Sequence, residues 1–246
     1  MEGCLNKINI KVIVLGDYPV SINFNKIKKF NSSLFSIAGE IDSISMRINA
    51  DLPDWAYSDE SLEKMVPERN GEDILLAITN VPLDLNWYTR RLNGCRVVLT
   101  LYEIRDICLS KNLPVENAIL RVLHAYSLVY LSSDRTIPTY GSIQSFTHDE
   151  TRGCLFDMNG DKLDIVHSCD KPIICPECRE RLTARKVSKR LLDSAEKDIK
   201  KITKDSFYKI SDFVRSHPII SISVVILSSF LTSVLAALFY DLVLKF

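Results

Sequence analysis

The sequence carries no net charge: 31 lysines and arginines stand against 31 aspartates and glutamates over 246 residues. Phosphate contacts need a basic surplus, so this balance argues against bulk nucleic-acid binding. It leaves room for local basic patches. There is no G-x-x-x-x-G-K-[ST] and no G-x-G-x-x-G, which removes support for P-loop nucleotide hydrolysis and for dinucleotide binding. There is also no G-x-S-x-G, the turn that carries a serine nucleophile in many hydrolases. Internal repeats and low-complexity tracts are missing, and the composition is that of an ordinary folded chain. The opening MEGCLNKIN is polar and lacks the apolar core of a secretory signal. The main part of the chain is therefore expected in a reducing cytoplasm. There the seven cysteines read as metal ligands or buried thiols rather than disulfides.

The length fits one domain, or one domain with an appendage. Residues 7–16 form an Ile/Val-rich run ending at Gly16-Asp17 and read as a first, central strand. Residues 20–30 read as a helix with its lysines outside. Residues 34–48 alternate roughly by two, as a strand or hairpin pair would. Residues 51–71 look loop-like, with Pro53, Trp55 and Pro67. The runs 73–79 and 95–101 read as buried strands, with an irregular excursion between them. A short helical turn over 101–108 precedes the clearest helix of the soluble part, 114–131. It is apolar almost all round, with proline near its first turn, so it is expected to be buried. A polar loop over 132–146 follows. The pattern is α/β with a mixed sheet.

The segment His148–Cys178 carries the strongest chemical signal. A C-x-x-C turn supplies two thiolates, Cys175 and Cys178, from one bend, and a structural zinc needs four Cys or His ligands. Cys154 and His148 are the expected partners, with Cys169 and His167 as spares. Unconnected thiols and a redox pair are the competing readings. Redox pairs of this kind open a helix early in a βαβ unit, whereas this one sits late. Asp149, Glu150, Arg152 and Asp157 crowd the same segment. They could serve a second metal, but an Arg152–carboxylate pair that steadies the loop is the plainer reading. Trp87, Tyr88, Arg90 and Arg91 in the 86–91 loop are the other place to look for a ligand.

After residue 182 the sequence changes character. Val187, Leu191, Ala195, Ile199, Ile202, Phe207, Ile210 and Phe213 recur every three to four residues among charges. That pattern predicts an amphipathic helical stalk over 183–216, ~45 Å long at ~1.5 Å per residue, able to self-associate. Residues 218–240 contain no charge, and a run of roughly 20 apolar residues spans a bilayer. This predicts a C-terminal tail anchor, single-pass. Lys200, Lys201, Lys204, Lys209 and Arg215 on its N-terminal side would keep the large domain cytoplasmic by the positive-inside rule. Ser229, Ser233 and Ala237 stand four apart within it. They are either ordinary membrane-helix composition or a homo-oligomer contact.

Two stretches give the chain a family likeness. Residues 77–101, AITNVPLDLNWYTRRLNGCRVVLTL, and residues 154–182, from CLFDM to ICPECRERL, resemble the archaemetzincin zinc metalloproteases. With the order of strands, the likeness covers roughly residues 8–182. It implies a metzincin-like domain over 1–182, with a structural zinc knuckle at 148–182 and His148 in place of the family's first cysteine. It also implies a catalytic H-E-x-x-H-x-x-G-x-x-H on the long helix, and that motif is missing. With His124 on the first ligand position, Ala125 falls on the general base, Leu128 on the second ligand and Asp134 on the third. His124 therefore reads as a core histidine.

Three functions remain. The first is a membrane-anchored, catalytically inactive metalloprotease-like protein whose cytoplasmic domain binds a protein or small-molecule partner. The second is an active tethered zinc hydrolase or peptidase with an unorthodox metal set including His124, Asp134 or His148. The third is a zinc-ribbon nucleic-acid binder using Arg179, Arg181, Arg185, Lys186, Lys189 and Arg190. Nearby acidic residues and the membrane make a solvated or lipid-facing stripe the better reading of those bases.

Overall fold

The apolar runs bounded by turn residues line up in a single sheet. A computed structural model describes residues 7–17, 22–139, 146–149 and 151–244 of the chain. The beginnings of the expected first helix (residues 20 and 21), part of the loop expected over 132–146, Glu150 and Lys245 lie outside the described residues. Strands β1 (Ile8–Leu15), β2 (Phe35–Ile37), β3 (Asp42–Ile44), β4 (Ile74–Thr79), β5 (Thr89–Leu92) and β6 (Arg96–Thr100) take the order β2-β1-β4-β6-β5, with β3 also on β1. All pairs are parallel except β5–β6, so the sheet is mixed and β5 is its antiparallel edge.

β4 is buried along its whole length, as expected of a parallel strand covered on both faces. Ile74, Leu76 and Ile78 join Ile10, Val12, Val97 and Leu99 in one apolar cluster with the long helix α4 (Val115–Ser132). Leu75 and Ala77 join Ile13, Leu15 and Val98 in a second cluster. Leu62 of α2 (Asp59–Met65) and Val66 belong to that second cluster. The period-two alternation of strand side chains makes this split. The short helices α1 (Phe24–Lys28) and α3 (Ile104–Ser110) both touch α4.

Two elements emerge where loops were expected. α2 lies inside the 51–71 stretch. It is capped by Ser58, whose hydroxyl accepts from Ser61 N–H, and only Ser61 and Leu62 are buried along it. One apolar anchor in two turns leaves no periodicity to read. β5 lies inside the excursion before β6. Its second residue is Arg90, buried and bonded by Nε and Nη2 to the Asp59 carboxylate, each at 2.5 Å. A strand that buries an arginine looks polar in the sequence.

The stalk expected over 183–216 is not one helix. After the short α5 (Ile165–Ser168), α6 (Pro176–Ala184) and α7 (Lys189–Ile199) belong to the sheet domain, and α8 (Ser206–Ser216) follows a break. The apolar stripe of α7, Leu192, Ala195 and Ile199, is buried in the same cluster as α4. Its Asp198 accepts from Ser33 N–H, and Asn117 Nδ2 bonds Thr203 O at 3.0 Å. The first compact unit thus runs to Thr203 rather than to residue 182, and residues 204–246 form a second unit. In that unit, α9 (Pro218–Leu244) contains an apolar span, Pro218–Asp241, of 24 residues and mean hydropathy 2.3. It is long and apolar enough to cross a membrane.

Candidate metal centre

Three pieces of chain converge on four ligand atoms. His148 and the 154–158 strand-like segment are tied by His148 N–H to Phe156 O (3.1 Å) and Met158 N–H to His148 O (3.0 Å). Ile173 bridges to the same segment through Leu155 N–H to Ile173 O (2.7 Å) and Ile173 N–H to Gly153 O (2.9 Å). Gly153 has φ +85°, and a Cβ there would meet the His167 carbonyl at 3.3 Å, so the turn into Cys154 favours glycine. Cys175 caps the N-terminus of α6 with Pro176 behind it, and its Sγ accepts from Cys178 N–H. This is how a C-x-x-C turn brings both thiols to one side.

One donor atom each from His148, Cys154, Cys175 and Cys178 lies within 4.8 Å of the others. His148 Nε2 is 3.3 Å from Cys154 Sγ and 3.5 Å from Cys175 Sγ. Cys154 Sγ is 3.8 Å from Cys178 Sγ. With Zn–S ~2.3 Å and Zn–N ~2.0–2.1 Å, tetrahedral angles place sulfurs about 3.8 Å apart and a sulfur and nitrogen about 3.6 Å apart. The cluster fits a tetrahedral zinc, and the sulfur separation excludes a disulfide. The three cysteines are buried and His148 is half-buried.

The surroundings favour thiolate. Hydrogen bonding from Cys178, with backbone N–H groups, holds Cys154 well below the usual thiol range. The hydrogen bond with Cys154, and then burial, push Cys178 up, as expected when two thiols compete for one negative charge. Phe156 N–H points at Cys154 Sγ (3.5 Å) and Arg181 Nη2 at Cys178 Sγ (3.0 Å). With zinc bound, three thiolates and one imidazole ligand would leave one negative charge, which the Arg181 guanidinium beside Cys178 would offset. His148 Nδ1 faces the Asp149 carbonyl at 3.4 Å, which leaves Nε2 for the metal.

The spare candidates lie elsewhere. Cys169 is fully buried against Cys108 of α3. His167 is half-exposed beside Asp164. Arg152 also pairs with Asp164, at 3.5 Å. His124 sits inside the core. Its Nδ1 lies 2.7 Å from Leu120 O, its Nε2 lies 3.4 Å from Ser32 Oγ, and Phe30 and Phe35 meet its ring edge-on.

Residues 86–88, the part of the expected 86–91 loop that precedes β5, line a cavity. A hollow of about 670 Å³ opens beyond the carboxyl ends of β4 and β6, walled by Trp87, Tyr88, Glu103, Asn159 and Lys162 among others. Open α/β sheets take ligands at such ends. Lys162 is buried, with its Nζ 2.5 Å from Asn86 Oδ1 and 3.1 Å from Glu103 Oε2. Burial lowers this lysine, and the Asn86 and Lys162 hydrogen bonds lower Glu103. A smaller hollow of about 260 Å³ adjoins, lined by Trp87 to Arg91, Tyr126, Phe146 and Met158.

The residue the sequence reading missed is Arg121. It is wholly buried on α4, donating to Tyr88 Oη and to Asp157 O, both at 3.0 Å. It links the long helix, the 86–91 loop and the metal-site segment. A lone arginine among the apolar residues of a helix was the available signal.

Among solved structures, the chain is similar to archaemetzincin from Methanopyrus kandleri (TM-score 0.47, 13% identity, 75% of this chain and 98% of that one). It is also similar to archaemetzincin from Archaeoglobus fulgidus in complex with malonate (TM-score 0.45, 15% identity, 71% and 99%). No protein-family model and no curated protein matches the chain.

Proposed function

We propose that this chain is a membrane-anchored, metalloprotease-like protein without peptidase activity, whose sheet domain binds a protein or small-molecule partner and is braced by one structural zinc. The observation that carries it is the setting of His124. Its ring is enclosed by Phe30, Phe35, Ser32 and the Leu120 carbonyl, and the residue one turn on is Leu128, fully buried. A catalytic zinc on this helix needs two histidines a turn apart and an adjacent base. The hollow beside Trp87, Tyr88 and Lys162 supports ligand binding. It offers aromatic faces and a charged pair but no nucleophile held by a base.

His148, Cys154, Cys175 and Cys178 would hold the zinc, which supplies a cross-link between chain segments rather than a reaction centre. α9 would place the protein in a bilayer. The basic residues from Lys200 to Arg215 would keep the sheet domain cytoplasmic, and Ser229, Ser233 and Ala237 would offer a self-contact. Nucleic acid is not the expected partner, and two of the bases that would serve it are engaged within the fold. Arg179 pairs with Asp193 and Glu196, and Arg181 bonds the Phe146 carbonyl.

Metal content of the purified full chain tests this. One zinc per chain, lost in the Cys175→Ala/Cys178→Ala variant, is the expected result. Two metals, one surviving that substitution, would sink the inactive reading and restore the tethered hydrolase. Recovery of the chain in the soluble fraction after alkaline extraction of membranes would sink the anchor.

A further inference from the structure

The helix that precedes the membrane span has an apolar face that its own unit leaves largely exposed, with only the His217 ring stacked on Phe213. α8 places Phe207, Ile210, Phe213 and Val214 within an arc of about 120° at 3.6 residues per turn. These side chains are 74%, 65%, 50% and 45% exposed. Tyr208, Lys209, Asp212 and Arg215 occupy the opposite arc. No residue of α8 is buried. α7, by contrast, buries its apolar stripe in the sheet domain, so the two halves of the expected stalk solve the same problem differently.

The junction with α9 says what covers the face. Only His217 separates the two helices, and its φ −133°, ψ 62° is not helical. Pro218 follows, and a proline disfavours helical geometry at the residue before it. α8 and α9 are therefore not one straight rod, as a stalk continuing into a span would be. Ser216 stands two residues before Pro218, where the apolar span starts, so the C-terminal end of α8 is held at the depth where that span enters the bilayer. A short helix with a wide apolar face and a basic opposite side, held at that depth, lies in the headgroup region.

We propose that α8 is an interfacial helix, lying along the cytoplasmic bilayer surface with Phe207, Ile210, Phe213 and Val214 in the acyl-chain boundary and Lys209 and Arg215 toward the headgroups. This rests on the reading of α9 as a membrane span.

The test uses the full chain in phosphatidylcholine–phosphatidylserine vesicles, with one tryptophan added at a time: Ile210→Trp and Phe213→Trp on the apolar face, Tyr208→Trp and Asp212→Trp on the polar face, Leu227→Trp within α9. The emission added by each is read against the unsubstituted chain. The expected result is loss of most added emission at 210 and 213 to lipids brominated near the ester end, with little loss to aqueous acrylamide. Positions 208 and 212 should show the reverse, and 227 should respond to bromine deep in the chains. Lipid quenching at 227 with acrylamide quenching at 210 and 213 overturns the interfacial helix and leaves the anchor standing. Shielding of 210 and 213 from both quenchers overturns it in favour of a protein contact, with cross-linked dimers marking a second copy. Acrylamide quenching at 227 overturns the anchor and the proposal together.

Discussion

Single side chains divide into those whose chemistry the sequence exposes and those whose surroundings alone decide it. Cys175 and Cys178 are legible because two thiols three apart on one turn have few uses. Cys154 and His148 follow by proximity in the chain. What the sequence does not show is that Cys169 faces Cys108 and His167 faces solvent, because both depend on how α3 and the short helix Ile165–Ser168 pack. His124 yields a prediction at this scale. Burial pushes it down to about 4, against the pull of the Leu120 carbonyl and of Asp198. In the unfolded chain it titrates near ~6.5. The unfolded state therefore binds the proton first, and the stability that neutral His124 contributes is present above ~6.5 and lost as pH falls toward 4. At ~1.4 kcal/mol per pH unit the loss is on the order of 3 kcal/mol. Denaturant unfolding of wild type and His124→Gln, from pH 7 to pH 4, should show the wild-type advantage shrinking through that window. Zinc release at low pH affects both chains equally and cancels. A difference that stays flat with pH would refute the buried neutral histidine.

At the scale of elements, periodicity identified what was long and uniformly apolar and missed what was short or held by buried charge. β1, β4, β6 and α4 were readable because whole faces are apolar. α2 has one apolar anchor, and β5 buries Arg90 against Asp59. The stalk shows the limit most clearly, since a 3.6-residue stripe says that a helix buries one face and not against what. Leu192 of α7 separates the alternatives, because it is fully buried in the α4 cluster. Leu192→Ala should destabilise the sheet domain by about 2–5 kcal/mol, the usual cost of a buried leucine. A stalk residue would show almost no effect. The readout is hydrogen exchange of α4 and β1 amides in the detergent-solubilised chain. Unchanged protection there would return α7 to the stalk.

At the scale of the molecule, the metal site and the hollow beside Tyr88 are two ends of one connection. The segment that carries Cys154 continues through Asp157, whose carbonyl accepts from Arg121, to Asn159 and Lys162 in the hollow's wall. Arg121 in turn holds Tyr88 in the same wall. One face of the sheet packs a cluster, Ile13, Leu15, Leu75, Ala77 and Val98, that contains no residue of those segments, whereas Cys154, Leu155, Phe156, Cys175 and Cys178 share the other cluster with Ile74 and Leu76. Chelation of zinc should therefore loosen the segments around the ligands before it loosens the strands. Amide exchange is expected to rise across 148–164 and 173–184, and the Trp87 emission should shift as the hollow's wall loosens, while β1, β4 and β6 stay protected. Mutation of Arg121 to Met should reproduce the Trp87 shift with zinc still bound, because it cuts the link on the other side of Asp157. If chelation instead strips protection from the strands at the same rate as from 148–164, the zinc and the sheet form one cooperative unit. The site would then set the stability of the whole domain rather than the shape of its hollow.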